Sequence, residues 1–406
     1  MYKPELVSPA GNYEKLKIAI QYGANAVYLG DTRFSLRSYA DNFSPQQIKK
    51  AVLYAHERGV KVYLTINIFA HNNNLADIKE YILFLKDSGI DGVIVSDPGV
   101  FTIVKDLAPV LPLHISTQAN VTNLQSVKFW EKLGASRIIL ARELGYDEVK
   151  EIRESAAIEL EVFIHGAMCM AYSGRCMLSS YMVGRDANLG SCAHPCRYKY
   201  NLLEEERPGQ YFPIEEDEKG TYILSARDLC TIEHIHYFLN IGINSFKIEG
   251  RMKGIYYLAV VTRAYRQAID SYLKDSKNYI VNPEWKEELE SISHREYTSG
   301  FYFEKDRYNL QTKAESSYIQ KYDIVGIVKG KIKDNTERKF IIEIRNKLSR
   351  GDEIEILAPS GNLSYKIEKI CDINGADLEF AHPNQQVLIE FKGSIEEGNL
   401  LRIRKK

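Results

Sequence analysis

The chain has 406 residues, a formal net charge of −1, 45% hydrophobic residues and 26% charged residues. That length predicts two or more domains, and the composition is that of an ordinary globular protein. Near-zero net charge excludes a molecule built for indiscriminate nucleic-acid binding, although a local basic surface is enough to contact phosphates.

The opening stretch, "MYKPELVSPAGNYEKL", lacks the basic-then-apolar layout of a secretory signal, and no apolar run approaches membrane-spanning length. The expectation is a cytoplasmic protein with no membrane partner. Thiols stay reduced there, and clustered cysteines favour metal over disulfides.

Taken in chain order, one rhythm recurs. A Gly, a few residues and an apolar run appear as "GANAVYLG" from Gly23, "GVKVYLTI" from Gly59, "GIDGVIVSD" from Gly89, "GASRIILAR" from Gly134 and "GINSFKIEG" from Gly242. Each follows a helix-spaced segment. Gly just past a helix can take the left-handed conformation that closes the last turn, and the apolar run reads as a buried parallel strand. Ser44, Pro45 and Gln47 form a helix start with a capping box.

Further strand candidates are "ELVS" at Glu5, "LPLHIST" at Leu111, "LEVFIHG" at Leu160 and "YILSA" at Tyr222. Nine candidates are one more than an eight-stranded ring needs. The reading is an α/β fold, a TIM-like (β/α) barrel with one candidate outside the ring or misread. An open doubly wound sheet is the alternative, but "VSPAGNYEK" has no dinucleotide fingerprint. After about Gly254 a long helix leads into a polar stretch without a period. From Tyr318 short strands with turns predict a small C-terminal all-β barrel, in which Cys371 is expected to be buried and inert. The division is 1–317, a barrel with an inserted loop at about 166–200 and a helical linker, then 318–406.

In such barrels the chemistry sits at the C-terminal strand ends. Those ends carry Ser8, Asp31, Asn67, Asp97, Gln118, Glu143, His165, Arg227, Asp228, Glu249 and Arg251. Asp97, before Pro98, reads first as a helix cap. His165, Glu249 and Arg251 are the catalytic candidates. A strand-ending role with a satisfied hydrogen bond is an equal reading for His165.

Beyond His165 come Cys169, Cys176, Cys192 and Cys196, spaced C-x6-C-x15-C-x3-C. Four thiolates suit a structural zinc site or an iron–sulfur cluster, and the loose first pair leans toward the cluster. Ser173, Ser179 and Ser180 lack a nucleophile-elbow sequence. Cys230 reads as structural, in a helix start. Basic and aromatic residues interleave in "CRYKY", with Arg197 and Lys199, a pattern that suits RNA phosphates and bases as well as it suits a solvated surface.

The stretch from "EVFIHGAMC" to "SCAHPCRYKY", with "ELVSPAG", "AVYLG", "RSYADNFS", "SARDL" and "FKIEGRMK", resembles the collagenase-like peptidase family U32. Its "SGRC…GRDANLGSCAHPCRY" form is most similar to the tRNA hydroxylation branch. The resemblance implies a [4Fe-4S] cluster on Cys169, Cys176, Cys192 and Cys196. It also implies conversion of the tRNA wobble uridine to 5-hydroxyuridine, prephenate as co-substrate, and a C-terminal barrel similar to the second domain of translation elongation factors.

The implied partners are the tRNA anticodon arm, a small carboxylic acid and a paralogous subunit. Arg37, Arg227 and Arg251 are candidates for a dicarboxylate, because guanidinium pairs with carboxylates through two bonds. Gln118, Arg197 and Lys199 complete the substrate-binding candidates. The rival readings are a U-class peptidase and a zinc-stabilised RNA-binding module. No H-E-x-x-H pair supports a metalloprotease, and His234 and His236 are two apart, off a shared helix face.

Overall fold

Apolar runs that follow left-handed glycines build a ring of parallel strands. The computed structural model describes residues 2–35, 42–169, 171–185, 187–189, 191–193, 195, 215–217, 220–222, 227–304, 319–332, 339–393 and 395–405. Seven strands come first: β1 (Glu5–Pro9), β2 (Ala26–Gly30), β3 (Lys61–Ile66), β4 (Gly92–Val95), β5 (Leu113–Ile115), β6 (Arg137–Ile139) and β7 (Glu159–Ala167). A hairpin of β8 (Glu215–Asp217) and β9 (Gly220–Tyr222) follows, then β10 (Asp228–Cys230) and β11 (Ser245–Ile248).

The ring closes because β11 pairs in parallel with both β1 and β7, through Glu5↔Ser245 and Ser245↔Glu161. The surplus strand candidate is the one at Tyr222. Of that run only Tyr222 is among the described residues, as the last residue of β9 in the separate β8–β9 sheet; residues 223–226 lie outside them. Strand β10 instead runs antiparallel to the end of β7, pairing Cys230 with His165, and carries β12 (Tyr297–Thr298) on its other edge.

The helices are α1 (Tyr13–Gln21), α2 (Pro45–His56), α3 (Leu75–Lys86), α4 (Pro98–Leu107), α5 (Leu124–Lys132), α6 (Tyr146–Ser155), α7 (Leu178–Val183), α8 (Ile235–Asn240), α9 (Ile255–Lys274) and α10 (Pro283–Leu289). The five rhythm glycines take φ values from 68° at Gly59 to 106° at Gly23, as helix-terminating residues do. Ser44 and Gln47 make both halves of the capping box of α2, and Asp97 accepts the Val100 amide at 2.9 Å at the start of α4. Among the described residues no helix is long and apolar enough to cross a membrane.

Charge occupies the N-terminal half of the barrel interior. Glu161, with 0% exposure, accepts from Lys247 at 2.8 Å, Ser245 at 2.8 Å and Arg137 at 3.2 Å. Arg137 also reaches Glu5 at 2.7 Å and Glu159 at 2.6 Å. Burial alone would raise the Glu161 carboxyl, but Lys247 and Arg137 overcome it and hold the group down at about 2.

The C-terminal part is an antiparallel all-β unit. Its strands are β13 (Tyr322–Lys331), β14 (Lys339–Ile344), β15 (Leu348–Ser349), β16 (Glu353–Ala358), β17 (Gly361–Lys366), β18 (Ile370–Asp372), β19 (Asp377–Leu378), β20 (Phe380–Ala381), β21 (Gln386–Glu390) and β22 (Leu400–Arg404). Val325, Ile342, Ile356, Val387 and Leu401 belong to its own apolar core. Cys371 is half-buried rather than buried, and its thiol donates to Asp377 at 3.4 Å, because β18 lies near the sheet edge.

This unit seats on the barrel through Arg402, 2% exposed, which bridges Glu288 at 2.7 Å and Glu355 at 2.6 Å. Tyr22 donates to the Leu357 carbonyl at 2.7 Å across the same junction.

Replacing Glu161 by Gln removes the carboxylate that Lys247 pairs with and one of the three that Arg137 pairs with, and is expected to destabilise the protein by about 3–5 kcal/mol at neutral pH. The folded carboxyl is depressed from 4.5 to about 2, so its contribution is complete above 4.5 and is lost as pH falls toward 2. Urea midpoints of wild type and Glu161→Gln should therefore differ most at pH 7 and converge below pH 3. A constant difference across that range would contradict the assignment.

Candidate functional site at the barrel mouth

Two strand ends cross closely where the ring closes. His165 ends the buried run of β7, and its carbonyl accepts the Glu249 amide at 2.9 Å. Gly166 has φ 115°, and a Cβ there would lie 2.5 Å from the Glu249 carbonyl oxygen, so only glycine lets the chains approach. The Tyr257 hydroxyl donates to that same Glu249 carbonyl at 2.7 Å.

The His165 ring is 1% exposed, amid Tyr257, Tyr265 and Tyr297 with centroids 5.8, 5.6 and 5.3 Å away. Burial pushes its pKa down to about 3, so the imidazole is neutral at physiological pH. A neutral ring walled by tyrosines suits positioning of the β7 end better than proton exchange with solvent.

Arg251 lies inside the mouth. Its guanidinium donates to Ser35 and, at 3.2 Å, to Thr65, while its carbonyl accepts from Lys15 at 3.3 Å. Gly30 makes this possible, since a Cβ there would fall 1.9 Å from the Arg251 guanidinium nitrogen. The result is a buried cation at the rim, supported by two hydroxyls that carry no charge of their own.

Beyond β7 the cysteine-bearing loop crosses this mouth and is pinned to three other strand ends. The Ser173 hydroxyl donates to Glu143, after β6, at 2.7 Å, and its amide bonds the same carboxylate. Arg175 donates to the Gln118 carbonyl, after β5, at 3.0 Å. The Phe69 amide, after β3, donates to the Asn188 carbonyl at 3.1 Å. Gln118 also accepts from Asn67 at 2.9 Å, which joins the ends of β3 and β5 beneath the loop. Ser173 has φ 48°, a left-handed turn that brings amide and hydroxyl to one carboxylate.

Of the four cysteines spaced C-x6-C-x15-C-x3-C, Cys169 is exposed and Cys176 and Cys192 are half-buried; Cys196 lies outside the described residues. So do Arg37, Arg197 and Lys199. No disulfide joins any two of the described cysteines. The Leu178 amide donates to the Cys176 sulfur at 3.4 Å, the kind of contact that steadies a thiolate. Asn188 clamps the Cys176 backbone from both sides, at 3.4 and 3.2 Å. Soft thiols with an amide directed at sulfur fit an iron–sulfur ligand set chemically. Among the described residues no three His, Cys, Asp or Glu side chains converge as a metal site.

Two other candidates stand in ion pairs. Arg227 pairs with Glu296 at 3.0 Å, and Asp228 with Arg295 at 2.6 Å. Burial would raise the Asp228 carboxyl, but Arg295 prevails and lowers it. Cys230 ends a strand rather than starting a helix, and burial raises its thiol to about 11. Sequence reasoning missed Ser35, Thr65, Arg175 and Asn188 as supports. Each acts on a residue far away in sequence or inside an aperiodic loop, and none carries a local signal.

Comparison with known proteins gives two family models and several relatives matched over nearly their full length. The model described as "Peptidase family U32" matches residues 11–312, and "Peptidase family U32 C-terminal domain" matches 320–402. The chain is 40% identical to "tRNA hydroxylation protein P1" of Bacillus subtilis (strain 168) over 402 residues, covering 98% of this chain and 94% of that protein. It is 36% identical to "tRNA hydroxylation protein P" of Escherichia coli (strain K12), over 94% of this chain and 92% of that one. It is also 30% identical to a "Collagenase" of Porphyromonas gingivalis (strain ATCC BAA-308 / W83), over 98% and 97%.

Glu143→Ala removes both anchors of Ser173 and should free the loop without loosening the barrel. Hydrogen exchange of amides in 171–185 is expected to accelerate by about tenfold or more, while the thermal midpoint moves little. Unchanged exchange would mean that the loop is held elsewhere.

Proposed function

The chain belongs to peptidase family U32, and we propose that it serves the hydroxylation of the tRNA wobble uridine to 5-hydroxyuridine. The observation that carries this reading is the cysteine loop drawn across the barrel mouth by Glu143, Gln118 and the Phe69 amide. It puts the thiol-bearing segment over the pocket where barrel enzymes do their chemistry. The near-full-length likeness to proteins named for tRNA hydroxylation supports the choice of substrate.

In this reading Cys169, Cys176, Cys192 and Cys196 would hold a [4Fe-4S] cluster, which supplies one-electron transfer when bound. The rest is work for the protein's own side chains. Exchanging a ring C–H for C–OH adds one oxygen atom and is a two-electron oxidation, so a co-reactant must provide the oxygen and accept the electrons. Prephenate is the metabolite proposed for that link. Arg251, a buried guanidinium that donates to the Ser35 and Thr65 hydroxyls at the mouth, is the group there proposed for one of its carboxylates. Arg37, outside the described residues, remains a second candidate. Arg227 already pairs with Glu296 and is the weaker choice.

His165 and Gly166 fix the strand end from which the loop departs, and the Glu249 backbone crosses it there. Arg197 and Lys199 are proposed to meet the anticodon arm.

A peptidase reading has one observation in its favour, the relative named a collagenase. Against it, Ser173 is engaged by Glu143 and His165 is walled in by tyrosines. Among the described residues no Ser, Thr or Cys of the mouth is shown hydrogen-bonded to a histidine as its base.

The test is nucleoside analysis of tRNA from a strain lacking this gene and any paralogue. Wild type is expected to restore 5-hydroxyuridine at the wobble position. Cys176→Ser and Arg251→Gln are expected to fall to about a tenth of that level or less. Failure of the wild-type chain to restore it would overturn the reading, and casein or gelatin cleavage surviving replacement of all four cysteines would favour the peptidase.

A further inference from the structure

Residues 171–185 contain Arg175 and Arg185 and no carboxylate. In the same stretch Tyr172, Met177, Tyr181, Met182 and Val183 are large apolar or aromatic side chains exposed to solvent. Clustered exposure of that kind marks an interaction surface rather than ordinary loop composition.

Helix α7 explains why this face points outward. On its inner side Ser179 is wholly buried, and its hydroxyl accepts the Ala193 amide at 3.0 Å. On its outer side the Tyr181 amide donates to the Met177 carbonyl at 2.8 Å, so the two side chains stand one turn apart on one face. Met177 is 77% exposed and Tyr181 89%. Gly184, with φ 66°, ends the helix, and the Arg185 guanidinium donates to the Ser191 carbonyl at 3.1 Å. Arg175 stays exposed while its Nε holds the loop to Gln118 at 3.0 Å. The anchored inner side keeps the outer side from folding back into the barrel.

We infer that the Met177–Tyr181 face of α7 is a stacking platform for an unpaired RNA base, with Arg175 and Arg185 meeting the adjoining phosphates. The exposed Tyr181 ring beside the exposed Arg175 complements a polyanion whose bases offer flat π-faces. A protein partner of mixed surface charge would be matched by cations and carboxylates together. The inference rests on the reading of the chain as a tRNA-modifying protein. It adds where the single-stranded loop is gripped, beside the mouth that receives the reacting base.

The test uses the full-length protein, a fluorescently labelled 17-nucleotide anticodon stem-loop and a fully paired duplex of the same length. Tyr181→Ala is expected to weaken stem-loop binding about tenfold or more, with Tyr181→Phe close to wild type and duplex binding unchanged. Thermal midpoints confirm that the variants fold. Equal affinity of wild type and Tyr181→Ala for the stem-loop overturns the inference, and so does equal weakening toward both RNAs. A change in oligomeric state without a change in RNA affinity would assign the face to a protein contact and also overturn it. Wobble hydroxylation is read separately in cells. If wild type restores it while Tyr181→Ala binds normally, only the stacking inference fails; if wild type does not restore it, the functional reading fails whatever the affinities.

Discussion

The seam between β7 and β11 is the constraint on which the rest depends. There the ring closes, and there the chain commits its most demanding chemistry to structure. Glu161 and Lys247 meet at 2.8 Å inside the barrel, and one pleat further on the Glu249 amide reaches the His165 carbonyl at 2.9 Å. A buried carboxylate is tolerable only with its cations in place, so the network enforces register as well as closure. Register in turn decides that β7 ends at the mouth and that the cysteine loop leaves from there. Without the seam, Gly166 would have no reason to adopt its φ of 115°.

From that point the loop is a built element. Glu143, Gln118 and the Phe69 amide come from three different strand ends, and each takes a separate part of the loop. Multiple anchors of this kind fix a segment that has too little apolar area facing inward to hold itself. They also leave α7 with its aromatic side turned to solvent. The same construction therefore supplies a cysteine-bearing segment held near the mouth and an exposed outer face on α7.

Much of the barrel was legible because its signals are local. A glycine after each helix, an apolar run after each glycine, and the Ser44–Gln47 box all act within a few residues. The surplus candidate at Tyr222 shows the limit of local reading: a short apolar run carries no mark of its pairing partners, and of this one only Tyr222, at the end of β9, lies among the described residues. The site was legible in part. Polar strand ends identified Arg251, but Ser35 and Thr65, which hold it, lie 216 and 186 residues away in sequence. Glu143 was visible as a polar strand end, yet its engagement with Ser173 is a tertiary fact with no periodic trace. Cys371 was misjudged because apolar composition near a sheet edge does not guarantee burial.

The central claim is that the loop over the mouth exists to carry a redox cluster on four cysteines. Anaerobic purification followed by iron, sulfide and zinc analysis with a visible spectrum tests it most directly. The account predicts a brown protein with about four iron and four sulfide atoms per chain, bleached by Cys176→Ser. A colourless protein holding one zinc per chain would contradict it.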